Sequence, residues 1–250
     1  MTPLDAGIIG SVGVVAGAMN TVVGSGTLLT FPVLLALGYP PVVANISNGL
    51  GLVPGSVTGA IGYRRELTGQ RARLWRLGAV TAVGAVGGAL LLLVLPADAF
   101  EAVVPVLILV ALVLVVLQPW LARRLALRER RHEHGGPVLA AGVFGVGIYG
   151  GYFGASQGVL NLALMGIMLD EDLHRLNAAK NVLTATANLV SGLVFVFVAD
   201  IDWAVVALLA VGSIVGGLFG GLAGRRLRPV WLRALIVVVG LVAVVQLLTS

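Results

Sequence analysis

The chain has 250 residues, of which 58% are apolar and 11% charged, with a net charge of +5, 35 glycines and no cysteine. Long apolar runs with glycine scattered through them are typical of transmembrane helices and exclude a soluble core. Without cysteine, disulfides, thiolate metal sites and cysteine nucleophiles are also excluded. The positive charge lies in short loops between apolar runs, where membrane topology explains it and nucleic-acid binding is not needed.

The apolar segments form two similar sets, and each set begins with a segment that is broken by glycine. Repeat 1 (1–118) contains a broken segment at 4–37 and spans at 42–62, 74–95 and 99–118. A basic loop at 119–136 leads to repeat 2 (137–250), with a broken segment at 137–169 and spans at 175–199, 203–223 and 230–248. Spans of 19 to 25 residues can cross a hydrocarbon core about 30 Å thick, whereas the broken segments are too long for one crossing. The sequence therefore predicts an all-α integral membrane protein with eight apolar segments, or ten if half-helices are counted.

The two repeats align without a gap across their breaks, at an offset of 132 residues. Gly24-Ser25-Gly26-Thr27-Leu28 in repeat 1 falls on Ser156-Gln157-Gly158-Val159-Leu160 in repeat 2. The same offset carries Asn45 to Asn177 and Asn48 to Lys180. A duplicated and interrupted membrane segment indicates a transport site.

The distribution of charged residues predicts how the chain threads through the membrane. Arginines occupy three loops, at 63–76, 120–136 and 225–233. We expect these loops to be cytoplasmic, whereas the loops near Asp98 and Asp200 contain no basic residue and would lie outside. Between the second basic loop and Asp200 the chain must cross an odd number of times, yet it holds one broken segment and one full span. The broken segment must therefore return to its starting side as a helical hairpin.

The equivalent hairpin of repeat 1 must then begin and end outside, so the two repeats are inverted relative to one another. In this arrangement all fifteen arginines lie on the cytoplasmic face and both termini lie outside. Inverted repeats, here each a broken-helix hairpin plus three transmembrane helices, are the usual architecture of secondary transporters, with the substrate near the midplane where the repeats meet. We therefore expect a multi-pass protein of the cell membrane whose hairpin tips face each other.

The two hairpin tips are the first candidate for the binding site. Glycine at a break permits both a turn and the close approach of a ligand. The half-helices that start near Thr27 and Val159 would point their N-terminal amides at the shared centre, which favours an anion. Alternatively, glycine and serine serve only for close helix packing. The tip residues assigned to the site are Gly24, Ser25, Gly26, Thr27, Ser156, Gln157 and Gly158.

Lys180, the only lysine of the chain, is the second candidate. It lies about eight residues into its span, roughly 12 Å along the helix, and a cation near the bilayer centre costs about 2.5 to 3.5 kcal/mol. No carboxylate in the neighbouring spans offers itself as a partner, so we expect an anionic substrate to pair with it. The alternative is that Lys180 extends to the cytoplasmic interface, where its ammonium reaches water.

Asparagines form a polar stripe beside Lys180. Asn177, Asn181 and Asn188 lie near its helical face, and repeat 1 supplies Asn45 and Asn48 in the equivalent region without a lysine. These residues predict an asymmetric binding site. The alternative is that the amides only join helices by hydrogen bonds, as they do in other membrane proteins.

No cofactor, metal or catalytic site is predicted. The three histidines lie in loops or short turns, and no Ser/His/Asp set, metal cluster or phosphate loop can be assembled at one membrane depth. Two other functions stay open: a cation or metal permease that uses the carbonyls of broken helices, and a non-transporting membrane scaffold subunit that acts through its basic loops. The first lacks a carboxylate or histidine cluster at depth, and the second leaves the glycine breaks and Lys180 without a purpose.

Two stretches of the chain resemble a known transporter family. Residues 17–65 contain the broken glycine helix, the Phe31-Pro32 pair and Ala44-Asn45, and residues 150–181 contain Tyr152-Phe153-Gly154-Ala155, Gly158 and Asn177-Ala178-Ala179-Lys180-Asn181. With these motifs and the duplication, nearly the whole chain resembles the TauE/SafE sulfite exporter family of membrane permeases. The resemblance implies transport of sulfite, thiosulfate, an organosulfonate or a related small sulfur-containing anion. One departure is the second break, which is more polar than the glycine run that the family often has.

The direction of transport can be argued from charge. No acidic residue lies within a span to carry a proton, and a membrane potential of 100 mV, negative inside, is worth about 2.3 kcal/mol per elementary charge. Expulsion of an anion can therefore run without a coupled ion, and we expect export or facilitated diffusion. The expected partners are a small inorganic or organosulfur anion and the lipid bilayer, without nucleic acid. A homo-oligomer is also compatible with the sequence.

Overall fold

The structure, a computed structural model, describes residues 1–126, 135–223 and 229–249, and these residues form ten helices. Repeat 1 contains α1 (Pro3–Val22), α2 (Thr27–Ala36), α3 (Pro41–Gly62), α4 (Arg71–Val94) and α5 (Ala97–Ala126). Repeat 2 contains α6 (Gly136–Tyr152), α7 (Gln157–Met168), α8 (Leu173–Val196), α9 (Trp203–Ala223) and α10 (Pro229–Thr249). Within the described residues, α1, α4, α5, α8 and α9 are long and apolar enough to cross a membrane. The predicted all-α integral membrane protein is therefore confirmed.

The helices of the two repeats begin at the offset that the sequence suggests. α3, α4 and α5 begin at residues 41, 71 and 97, and α8, α9 and α10 begin at residues 173, 203 and 229, each 132 residues later. α1 and α2 meet at the first break, as α6 and α7 meet at the second. The boundaries of the repeats and their inversion in the membrane remain predictions.

Some helix starts are capped by side chains, and others are not. At α1, the Thr2 hydroxyl accepts a hydrogen bond from the Asp5 amide at 3.2 Å, and the Asp5 carboxylate accepts one from the Thr2 amide at 2.6 Å, which satisfies two amides that the helix itself leaves free. At α8, the Asp172 carboxylate accepts from the amide of His174 at 2.8 Å. α2 begins without a side-chain cap, and so does α7. α3, α4 and α6 also begin without one, so a missing cap does not distinguish the helices that follow the breaks.

Three helices, α1, α3 and α9, run parallel to one another. Gly13 and Gly17 of α1 face Leu209 and Ser213 of α9 in the same order along both helices. Gly55 of α3 also faces Ser213, and Gly62 faces Gly221 further along α9. Because the contacts advance together along the three helices, the helices point in one direction.

A second parallel group consists of α4, α6 and α8, and it runs the opposite way. Gly84 and Gly88 of α4 face Gly147 and Tyr152 of α6 in the same order. The starts of α4 and α8 are joined by ion pairs described below. In contrast, the amide of Asp202 beyond the end of α8 donates to the Ser47 hydroxyl near the start of α3, and Gln70 beyond the end of α3 donates to Arg175 near the start of α8, so α3 and α8 are antiparallel. Each helix of one group has its counterpart by sequence offset in the other group, because α1, α3 and α9 correspond to α6, α8 and α4.

Glycine sets the distance between the helices of each group. A methyl group built on Gly216 of α9 would overlap the carbonyl oxygen of Val14 in α1, and one built on Gly88 of α4 would overlap the carbonyl oxygen of Ile148 in α6. Lipid tails give apolar helices no hydrophobic reason to associate, so membrane helices depend on such close backbone contact. Small residues therefore fix the two groups as rigid packing units.

The fifth helix differs from its predicted bounds. The predicted span ends at 118, whereas α5 continues to Ala126, into the first part of the predicted basic loop at 119–136. The stretch Leu121-Ala122-Arg123-Arg124-Leu125-Ala126 consists of strong helix formers, so the helix extends although Pro119 lies inside it. Much of the second and third basic loops, including His132, His134 and several arginines, lies outside the described residues.

We expect Gly216→Ala to destabilise the protein, because the added methyl group meets backbone that cannot move aside. Overpacking of this kind costs about 1 to 3 kcal/mol. The matched control is Gly145→Ala in α6, where a methyl group would meet nothing within 4 Å. Thermal unfolding of both variants in detergent checks this. Equal melting temperatures for the two variants would contradict the α1–α9 contact.

Candidate functional site

The two breaks touch each other inside the protein. Break 1 (residues 23–26) separates α1 from α2, and break 2 (residues 153–156) separates α6 from α7. A methyl group built on Gly24 would lie 2.8 Å from the Cα atom of Gly158, and one built on Gly158 would lie 2.7 Å from the Cα atom of Gly24. Both residues are buried. Break 1 therefore meets the first turn of α7, just after break 2, backbone to backbone, and only glycine fits at this contact.

The breaks share an unusual backbone conformation at equivalent positions. Gly24 has a φ of 91°, and Ser156, which lies 132 residues later, has a φ of 61°. Among the described residues Ser156 is the one non-glycine with positive φ. Such residues persist only where the surrounding structure holds them, and they are concentrated at functional sites. The Ser156 hydroxyl donates to the carbonyl oxygen of Ala111 in α5 at 3.3 Å, which helps to hold the turn.

Asparagines of the opposite repeat satisfy the carbonyl ends of the two broken helices. Asn177 Nδ2 in α8 donates to the carbonyl oxygen of Thr21, at the end of α1, at 3.3 Å. Its counterpart Asn45 Nδ2 in α3 donates to the carbonyl oxygen of Tyr152, the last residue of α6, at 3.0 Å. The last carbonyls of a helix have no partner in the helix itself, and in a membrane water does not supply one. Each repeat thus supplies a hydrogen-bond donor to the broken helix of the other repeat.

Lys180 also donates hydrogen bonds to the carbonyl end of α1. Its side chain is fully buried, and Nζ donates to the carbonyl oxygens of Asn20 and Thr21, each at 3.0 Å. The carbonyl end of a helix carries a partial negative charge, so an ammonium there is favourable. The sequence predicts no protein partner for this cation, because backbone carbonyls at a helix end cannot be identified from residue types. The interfacial position considered above is wrong, since no part of the side chain reaches the surface.

Two further hydrogen-bond networks join the half-helices to α3 and α8. Asn48 Nδ2 donates to the Thr27 hydroxyl at 3.2 Å, and Asn48 Oδ1 accepts from the Thr30 hydroxyl. In the other repeat, Gln157 Nε2 donates to Asn188 Oδ1 at 2.7 Å. Asn48 therefore binds within its own repeat, whereas Lys180, its counterpart, reaches across to α1. This difference makes the centre asymmetric.

Several buried polar atoms on break 1, α7 and α8 have no hydrogen-bond partner within the described residues. A buried polar atom without a partner costs about 1 to 3 kcal/mol, so such atoms are uncommon in a stable protein. They lie on break 1, on α7 and on the face of α8 that carries Lys180. They are Ser25 Oγ, Asn161 Oδ1, Asn177 Oδ1, Asn181 Nδ2 and Thr184 Oγ1. Their presence fits a centre that receives a polar ligand or water.

Backbone amides add further unpaired donors at both half-helix starts. In the described parts of the chain, three consecutive amides at break 1 have no acceptor, and three at break 2 have none. The first amides of a helix always lack partners in that helix, and their dipoles favour negative charge. These amides belong to Ser25, Gly26, Thr27, Ala155, Ser156 and Gly158.

The centre is closed in this conformation. A cavity between α2, α3, α6 and α8 is lined in part by Thr27, Asn45 and Asn188, and it has a volume of about 10 Å³. This volume is room for about one water molecule. An ion with several oxygens cannot enter unless the surrounding helices move.

α5 holds both breaks from one side. Gln118 Nε2 donates to the carbonyl oxygen of Val23 in break 1 at 3.1 Å, while Ala111 accepts from Ser156 in break 2 as described. Phe100 of α5 also contacts the rings of Tyr152 and Phe153, with ring centres 5.6 and 6.1 Å apart. A movement of α5 would therefore change hydrogen bonds at both breaks.

All twelve residues assigned to the site from sequence are buried. Gly24 lies against Gly158, and Asn45, Asn48, Thr27, Ser156, Gln157, Asn177 and Lys180 make the hydrogen bonds given above, whereas Ser25 Oγ and Asn181 Nδ2 make none. Their role in binding a substrate remains a prediction. Sequence reasoning missed Asn20, Thr21, Gln118, Asn161 and Thr184. The sequence gives a weak indication of Asn161, because it lies one helical turn after Gln157 on α7. It gives no indication of the carbonyl groups of Asn20 and Thr21.

Comparison with known proteins now identifies the family. A family model described as Sulfite exporter TauE/SafE matches residues 9–247. The chain belongs to this family. The resemblance seen in the sequence is thereby confirmed.

Curated relatives cover most of the chain. "Probable membrane transporter protein YfcA" of Escherichia coli is 29% identical over 254 residues, covering 99% of this chain and 91% of the relative. "Probable membrane transporter protein" of Haemophilus influenzae is 28% identical over 220 residues, covering 85% and 82%. "Probable membrane transporter protein ORF9" of Sinorhizobium sp. is 24% identical over 238 residues, covering 94% and 89%. No solved structure gave a significant match. The protein is thus a multi-pass membrane transporter of the TauE/SafE type and not an enzyme.

An ion-pair cluster ties α4 to the start of α8 at the arginine-rich end of the TauE/SafE fold. Glu171 accepts from Arg73 of α4 at 2.9 Å and from Arg175 of α8 at 2.6 Å. Gln70, just before α4, donates to the carbonyl oxygen of Arg175 at 3.1 Å. Burial acts to raise the pKa of Glu171, but the hydrogen bonds and charges of both arginines outweigh it and hold the pKa below its ordinary value of 4.5.

We expect the Glu171 cluster to stabilise the protein fully above pH 4.5 and progressively less at lower pH. Since the folded-state pKa is lowered, the contribution is complete above the ordinary pKa and is lost as the pH falls through the lowered value. Glu171→Gln should reduce the free energy of unfolding at pH 7 by about 1 kcal/mol, the upper end for partly exposed pairs. Melting temperatures measured between pH 7 and pH 3 in detergent should converge with those of the unmodified protein at the acid end.

The control for this series is Glu101→Gln, at an exposed glutamate that makes no ion pair within the described residues. It should leave the melting temperature nearly unchanged at every pH. A Glu171→Gln deficit that persists undiminished at pH 3 would contradict the assignment of the effect to this carboxylate.

Proposed function

We propose that the protein carries a small sulfur-containing anion, such as sulfite, thiosulfate or an organosulfonate, out of the cell across the cell membrane. Membership of a family described as sulfite exporters supports the substrate class. The substrate must enter a centre that contains one buried cation, two half-helix starts and several unpaired polar atoms. Donors of this kind suit the oxygens of a small oxyanion.

The observation that carries the proposal is the position of Lys180. An ammonium group has three donors, and the carbonyls of Asn20 and Thr21 use two of them. We infer that the third donor, together with the free amides of break 1, binds an oxygen of the substrate. Break 1 immediately follows the carbonyls that hold the ammonium, so one small ion can contact both. Asn181, with its unpaired Nδ2, lies on the neighbouring position of α8.

The same position disfavours a cation or metal as the substrate. A broken helix could coordinate a cation through its last carbonyls, but at α1 the ammonium of Lys180 already occupies two of them. Among the described residues there is also no cluster of three or more histidine, aspartate or glutamate side chains. We therefore retain the anion as the proposed substrate.

Alternating access follows from the closed centre and the parallel helix groups. The cavity of about 10 Å³ must expand before an anion can bind. We propose that the groups α1–α3–α9 and α4–α6–α8 rock against each other about the Gly24–Gly158 contact. The opposite directions of sequence-equivalent helices support inverted repeats, as expected for such a transporter. In this proposal the arginine-rich loops are cytoplasmic and both termini lie outside.

Transport by purified protein in proteoliposomes tests the proposal. A panel of sulfite, thiosulfate, sulfate, taurine and a short alkanesulfonate is to be measured with an inside-negative potential applied. We expect flux of at least one sulfur anion. Lys180→Met should abolish it, because the charge is lost, and Asn181→Ala should weaken apparent affinity about tenfold, the effect of one hydrogen bond to a charged group.

Controls separate binding from folding. Arg65→Gln also removes one positive charge, but at an exposed position, and should transport normally. Asn181→Ala should not lower the melting temperature, since its Nδ2 makes no hydrogen bond that could be lost. Undiminished flux in a folded Lys180→Met protein would remove this residue from the mechanism.

A further inference from the structure

We propose that the protein binds an anionic phospholipid in a groove between α4 and α8, with the headgroup at Arg71 and one acyl chain along the groove. The inference rests on the membrane location of the protein and does not depend on the proposed substrate. The groove is separate from the centre described above, because none of its lining residues belongs to that centre.

The groove has a length and a volume that suit an acyl chain. Its volume is about 590 Å³, and it extends along α4 from Arg71 to Ala82, roughly 16 Å along the helix axis. Gly78 and Ala82 leave space where larger side chains would stand. On the opposite wall, the Thr186 hydroxyl donates to the carbonyl oxygen of Val182 at 2.9 Å. This wall therefore presents no unpaired hydroxyl to a hydrocarbon chain.

The mouth of the groove carries positive charge. Arg71 is the first residue of α4, so its guanidinium adds to the positive end of a 24-residue helix. Arg71 is exposed and has no carboxylate within ion-pair distance in the described part of the chain. Nearby Glu171 is already engaged by Arg73 and Arg175. A basic group above an apolar groove between membrane helices complements a phosphate with attached acyl chains.

Trp75 places the mouth of the groove at the membrane interface. It lines the groove one turn after Arg71, and its side chain is 72% exposed. Exposed tryptophan is typical of the headgroup level of a bilayer. Val182 and Thr186, which face the groove, lie on the side of α8 opposite to Lys180 and Thr184. A lipid in the groove would therefore contact the reverse side of the helix that carries Lys180.

Quenching of Trp75 by brominated lipids tests this proposal. Trp120, Trp203 and Trp231 are changed to Phe so that Trp75 is the only tryptophan and is excited selectively at 295 nm or above, and retained folding is checked by thermal unfolding. The protein is then titrated with dibrominated phosphatidylglycerol or dibrominated phosphatidylcholine in detergent. Phosphatidylglycerol should reach half-maximal quenching at about one fifth of the phosphatidylcholine concentration, the preference that one arginine near the surface supplies.

Two variants in the same background make the result specific. Arg71→Gln should abolish the preference, while Arg64→Gln, at an exposed arginine that does not line the groove, should keep it. Gly78→Leu should reduce quenching by both lipids, because it fills the groove without meeting any protein atom within 4 Å of its Cβ. Equal quenching by the two lipids, or a preference that survives Arg71→Gln, would overturn the headgroup assignment. Unchanged quenching in Gly78→Leu would overturn the acyl-chain assignment.

Discussion

The structure depends on how two broken helices satisfy their backbone groups without water. A membrane interior offers no hydrogen-bond partner, and each unsatisfied group there costs several kcal/mol. In this protein the carbonyl ends of α1 and α6 are satisfied by Asn177 and Asn45, each from the opposite repeat. Without the other repeat, the carbonyls of Thr21 and Tyr152 would lose these donors. The interleaving of the two halves is therefore a requirement of the breaks, and the glycine contacts between α1 and α9 and between α4 and α6 allow it.

The two repeats differ at one position of the centre. Asn48 and Lys180 occupy equivalent sites, but Asn48 binds threonines of its own half-helix, whereas the ammonium of Lys180 binds the end of α1. An amide at both positions would leave the centre neutral. With the lysine, one positive charge lies beside two half-helix starts, and negative charge becomes favourable where the repeats meet. The anion that we propose as substrate would balance this charge during transport, and the carbonyls of α1 stabilise it when the site is empty.

Composition, hydropathy and the position of glycine were sufficient to predict the helical membrane fold and both breaks. The glycine-rich breaks and the 132-residue offset are patterns of residue types along the chain, so they can be recognised from the sequence. Contacts between backbone atoms that are distant in the chain cannot be recognised in this way. The sequence predicts that the hairpin tips face each other, but it does not show which residues touch there, that Lys180 has carbonyl partners, or that Gln118 of α5 supports break 1. Asn161 and Thr184 were missed because a single polar residue in an apolar helix looks the same whether it faces a neighbour or a binding centre.

The central claim is that an anion binds beside Lys180 where the two breaks meet. Anomalous diffraction from crystals of the protein grown with selenite tests it most directly, because selenite resembles sulfite in shape and charge and selenium can be located unambiguously. The account predicts a selenium peak within hydrogen-bond reach of Lys180 Nζ and of the amides of Ser25 to Thr27, with the cavity enlarged to hold the ion. Selenium found only at surface arginines, with the centre still closed around Gly24 and Gly158, would contradict the account.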